Sequence, residues 1–179
     1  MEDEKVDKAK ELELLHKAIL LEESEVIEEG VERLKSIGNA SSIAVVSQLL
    51  CGEKEQSEEI TKSILHFLFT KEIENAIPAL IEQIGLYIGK RNCRYLLAAC
   101  WEVNYDCSKF TKQFSLIAAH ANVEELIECL SIFENIVNVP PLEDVIYAIK
   151  QIDTAIDKSN DSTRTGLLES IRTTIKNFQ

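Results

Sequence analysis

The sequence predicts an all-α fold, a solenoid of stacked helix pairs closed by a capping helix at each end. Three observations predict it: an apolar pattern that recurs every 33 to 34 residues, helical spacing within each recurrence, and helix punctuation between recurrences. In one series Ile27, Ile60, Cys93 and Leu126 are followed by Val31, Ile64, Leu97 and Leu130, and then by Leu34, Phe67, Cys100 and Phe133. In the other, Ile43, Ile77, Thr111 and Val145 are followed by Val46, Leu80, Phe114 and Ala148, and then by Leu50, Ile84, Ala118 and Ile152. Offsets of three and four place each set on one helix face. Two interleaved series mean two helices per repeat, and a repeat of this length must stack on neighbours to bury its apolar face.

The elements follow in order. An amphipathic segment over residues 4–21 supplies the first cap, and stepping back 34 from Ile43 and Val46 reaches Ala9 and Leu12, although the next step reaches His16. A helix over 24–37 stops at Gly38-Asn39, and Ser41 and Ser42 are expected to cap its partner, which runs to Cys51. Ser57 with Glu58 and Glu59 opens a helix to residue 69, the acids lying where the helix dipole favours them. Glu74 or Asn75 starts the next, with Pro78 tolerated in its first turn and Gly85 near its end. The third pair is expected over 91–103 and 108–119. The fourth has a first helix over 123–136, the turn Asn138-Val139-Pro140-Pro141, and a helix over 142–156. A polar loop over 157–162 leads to the last helix. The organisation is thus a cap over 1–22, an array of about four helix pairs over 23–157, and a cap over 162–179.

At 179 residues, one stacked array can bury a continuous core without staples. The longest apolar run, Tyr95 to Trp101, is too short to span a membrane, and the acidic start lacks the pattern of a secretory leader. A cytoplasmic location is expected. Five cysteines, an odd number with Cys93 and Cys100 at core positions, read as free thiols. The net charge is −12, with 19 acids against 9 bases in residues 1–89. Such a surface repels phosphate backbones, so a nucleic-acid partner is not expected.

At Leu34-Lys35-Ser36-Ile37-Gly38 and at Ala76-Ile77-Pro78-Ala79-Leu80, the chain resembles HEAT-like repeat proteins, an armadillo-like class of α-solenoid. In that family the first helix of each pair ends in a Leu-x-x-Ile-Gly turn and the second carries Ala-Ile-x-x-Leu. The resemblance covers residues 24–156. It implies a right-handed α-α solenoid that works as a protein-binding scaffold, with partners lying along the second helices.

Cys93, Cys100 and Cys107 stand seven apart, but about 10 Å of helical rise separates such positions, too far to share a zinc. Core packing accounts for the spacing; Cys107, in a polar loop, and Cys51 are the cysteines open to exposure, and Cys107 reads as a plain surface thiol ahead of a reactive one. His16, His66 and His120 are isolated in sequence from nucleophiles, and the acid pairs Glu22-Glu23, Glu28-Glu29, Glu58-Glu59 and Glu124-Glu125 mostly begin helices. No catalytic residue, metal site or cofactor is expected.

Binding is the expectation instead. Lys90, Arg91 and Arg94, with Tyr87 and Tyr95 and with Lys109 and Lys112 in the partner helix, form a basic cluster suited to an acidic peptide. Ion pairing with Glu82 or Glu102 is its alternative explanation. The second helices present Gln48, Glu82, Gln83, Lys112, Gln113, Tyr147, Lys150 and Gln151, an amide-rich strip suited to a polypeptide. The expected function is therefore a non-enzymatic scaffold for a protein or peptide partner. The alternative is an enzyme or enzyme-assisting HEAT-like module, lyase-like with a reactive cysteine or glycosylase-like with a basic groove. Leu12, Leu15, Ile19 and Leu20 also offer a route to a homodimer through the opening segment.

Overall fold

The computed structural model describes residues 2–21, 24–70 and 72–178. Among them are ten α-helices and no strand: α1 (Glu2–Leu21), α2 (Ser24–Ile37), α3 (Ala40–Cys51), α4 (Glu58–Thr70), α5 (Ala76–Tyr87), α6 (Cys93–Glu102), α7 (Thr111–His120), α8 (Val123–Glu134), α9 (Leu142–Asp157) and α10 (Ser162–Lys176). A 3-10 turn over Ser108–Phe110 leads into α7. No helix among the described residues is long and apolar enough to cross a membrane. The chain divides into two compact units, residues 1–83 and 84–179.

The repeat pattern locates the core. Every position of the two series is buried except Leu130, which is half-buried. Thr111, the polar member, is accommodated because its hydroxyl donates to the Ser108 carbonyl at 2.8 Å, so its burial leaves no unmet hydrogen bond. Full burial of side chains such as Phe67, Phe114 and Phe133 contributes about 1.5–3 kcal/mol each.

In the first unit α2 packs on α4, and α1 packs on both α2 and α3. Leu15 of α1 is half-buried and Leu20 exposed, while Leu12 and Ile19 are buried within the chain. Gly30 makes this possible, since a Cβ there would stand 2.5 Å from Ile19 Cγ1. His16 meets α3 through a 2.9 Å hydrogen bond between its Nε2 and Ser42 Oγ, which explains a polar residue at a repeat position. The cap of α3 is Asn39 rather than Ser41 or Ser42. Asn39 Oδ1 accepts from the Ser41 amide at 2.9 Å, and the Asn39 amide donates to Ser42 Oγ at 3.2 Å.

In the second unit α6 packs on α8, α7 on α9, and α10 on both α8 and α9. Asp161 caps α10, accepting from the Arg164 amide at 2.8 Å. The Arg164 guanidinium then donates to the carbonyls of Ala119 at 2.8 Å and Ala121 at 3.2 Å, satisfying acceptors at the end of α7. Helices two apart in the chain thus pack on each other in both units.

Candidate functional site

The loop between α5 and α6 reverses direction through two left-handed residues, Gly89 at φ +76° and Asn92 at φ +63°. Glycine adopts this conformation at no steric cost, and asparagine is the residue that tolerates it next best. Lys90 and Arg91 lie between them and are exposed. One buried carboxylate fixes the loop. Glu125, in the first turn of α8, accepts from the Gly89 amide at 2.7 Å through Oε1 and from the Asn122 amide at 2.9 Å through Oε2. Asn122 reciprocates as the cap of α8, its Oδ1 accepting from the Glu125 amide at 3.0 Å.

Arg94 extends from α6 over the Tyr95 ring, 4.7 Å from its centroid, and donates through Nη2 to the Tyr95 hydroxyl at 3.0 Å. Its Nε lies 3.5 Å from Glu124 Oε2. The result is a polar cleft of about 220 Å³ lined by Lys90, Arg91, Asn92 and Arg94 on one side and Asn122, Glu124 and Glu125 on the other. This volume lies below the ~300 Å³ at which small-molecule pockets begin. Both glutamates of the lining are engaged, whereas Lys90 makes no ion pair among the described residues.

The predicted basic cluster therefore separates. Lys90, Arg91 and Arg94 share the cleft, but Lys109 and Lys112 follow the other end of α6, about 15 Å of helix away. Lys112 is held by Asp144 at 2.6 Å, with Glu143 at 3.8 Å. The hydrogen bond with Asp144 raises the Lys112 pKa. Arg94 pairs with Glu124 and not with Glu82 or Glu102.

In the amide strip, Gln48 and Glu82 are exposed in the first unit. Gln83 is not: it is 7% exposed, because three residues beyond Leu80 and one before Ile84 it shares their inward face. On α7 and α9, Gln113 and Lys150 are exposed, and Lys112, Tyr147 and Gln151 are half-buried.

All five cysteines are buried, which corrects the expectation that Cys51 and Cys107 face solvent. Cys107 sits in a polar sequence, yet it immediately precedes the 3-10 turn and is 2% exposed, its thiol 3.8 Å from the Cys100 carbonyl oxygen. Burial pushes the Cys107 thiol up to about 12 and raises Cys100 and Cys129 as well. These groups are protonated at neutral pH and are poor nucleophiles. His66 and His120 are exposed. Glu22 and Glu23 lie outside the described residues.

Two features escaped the sequence reading. In sequence Glu125 reads as one of a pair of solvated helix-starting acids, yet it holds the loop. Val137, Val139, Leu142 and Ile146 belong to neither repeat series and are exposed by 91, 76, 62 and 57%. Ile146 falls on the side of α9 away from Val145 and Ala148, and Leu142, in the first turn of that helix, is exposed beside it. No protein-family model, curated protein or solved structure matches the chain.

Proposed function

We propose that this chain is a HEAT-like helical-repeat protein, a right-handed solenoid in the cytoplasm, that binds another polypeptide without catalytic chemistry. The cleft beside Lys90 holds an acidic segment of that partner. Burial of the repeat positions and the side-by-side packing of helices two apart support the repeat reading.

One observation carries the binding reading. On a chain of net charge −12, the α5–α6 loop presents Lys90 at the rim of a cleft whose own carboxylates are already engaged by Arg94 and by two backbone amides. An acidic side chain entering there meets a cation without displacing an internal pair. Rim charges of this kind steer encounter and set partner sign more than they supply raw affinity.

Affinity capture from native lysate, with intact protein and a Lys90→Glu/Arg91→Glu variant, tests the reading. A protein retained by the intact chain through an acidic segment, and bound at least about tenfold more weakly by the variant, is the expected result. Equal retention by both removes the cleft from the interface, and retention of nothing by either removes the binding reading.

A further inference from the structure

From residue 137 to residue 146 the second unit turns four large apolar side chains to solvent. Val137 and Val139 lie in the loop after α8, and Leu142 and Ile146 lie one turn apart on α9. Scattered surface hydrophobics are ordinary, but these four are the densest run of exposed large hydrophobics among the described residues. Pro140 and Pro141 restrict the backbone of the loop, so little conformational entropy remains to be lost on binding.

The charge around these residues is predominantly negative, although Lys112 stands beside Glu143 and Asp144. Between 123 and 157 the chain carries eight acids and one base, Lys150. Glu124, Asp144 and Asp153 are paired with Arg94, Lys112 and Arg172. Carboxylates nonetheless flank the apolar stretch on each side. Glu134 ends α8 just before it; Asp106 is held at 3.0 Å by Asn138, between the two valines; and Glu143 follows Leu142 with its side chain 82% exposed and 3.8 Å from Lys112, which it shares with Asp144. A second copy of this chain docking symmetrically would set that acidic rim against itself, and an anionic lipid surface would meet the same repulsion.

We infer that Val137, Val139, Leu142 and Ile146 dock an amphipathic helix of a partner, whose apolar face covers these residues while its Lys and Arg side chains meet Glu134, Asp106 and Glu143. The surface is separate from the Lys90 cleft. The two lie at opposite ends of α8, about 18 Å apart along its axis, and they select partner segments of opposite charge.

The probe is a fluorescent helical peptide with leucine on one face and lysine on the other, paired with a leucine/glutamate peptide of the same pattern. Binding of each to the full chain is read by anisotropy, with sedimentation velocity of the protein alone. The leucine/lysine peptide is expected to bind and the leucine/glutamate peptide to fail. Leu142→Ser/Ile146→Ser, and separately Val137→Ser/Val139→Ser, should weaken binding at least about tenfold. Lys90→Glu should leave it unchanged, which separates this surface from the cleft. Equal binding of the lysine peptide by wild type and both serine variants would show adsorption to acidic surface alone and overturn the inference. So would binding of the glutamate peptide, no binding of either, or a wild-type dimer that the serine variants convert to monomer.

Discussion

Glu125 shows how much a single side chain can fix. With its carboxylate buried, replacement by alanine leaves the Gly89 and Asn122 amides without acceptors, a loss of about 2–3 kcal/mol for hydrogen bonds to a charged group. Glu125→Ala is expected to lower the urea midpoint and to speed hydrogen exchange at Gly89, with Glu125→Gln intermediate. Ser47 is the reverse case. Its hydroxyl is buried in α3 without a hydrogen-bond partner, so Ser47→Ala should raise stability by about 1 kcal/mol in the same assay. His16 adds a pH dependence. Partial burial lowers its pKa from 6.5, so the unfolded chain takes up the proton first as pH falls. Its contribution is complete above pH 6.5 and is lost as pH drops toward the folded value. Thermal midpoints should therefore fall on acidification below that point, and His16→Gln should flatten the dependence attributable to this residue.

The helices were legible in the sequence because each buries a stripe at spacings of three and four, and because Gly38, Ser57 and the Pro140-Pro141 pair punctuate them. Residues 24–37 form the helix the pattern predicted. What periodicity does not encode is contact between elements. Nothing in the spacing marks Gly30, whose lack of a Cβ admits Ile19 of α1. Gly30→Val is expected to displace α1 while α6 to α10 keep their exchange protection, because it adds two methyls where one carbon already stands too close. Equal protection of α1 in the variant and the wild type would show that the approach is not limiting. The site was half legible for the same reason. Lys90, Arg91 and Arg94 are near in sequence and share the cleft, whereas Lys109 and Lys112 lie beyond the far end of α6, a separation that sequence distance does not encode.

For the molecule as a whole, charge and burial together set what it can do. Five buried thiols predict that an aromatic disulfide reagent titrates none of them rapidly in native protein and all five in denaturant. A fast-reacting thiol in the native state would reopen cysteine chemistry. Net charge of −12 predicts that binding at the Lys90 cleft, a local positive site on an acidic chain, weakens as salt is added, since exposed charges are screened within about 8 Å at physiological ionic strength.

The most direct measurement is photocrosslinking from position 90, with a benzoylphenylalanine replacing Lys90 in otherwise intact protein and a second copy of the probe placed at exposed Gln48 for comparison. A crosslink from position 90 to an acidic segment of a particular protein, absent from position 48, is what polypeptide binding at the cleft predicts. Crosslinks confined to position 48, or to basic segments at position 90, would contradict it.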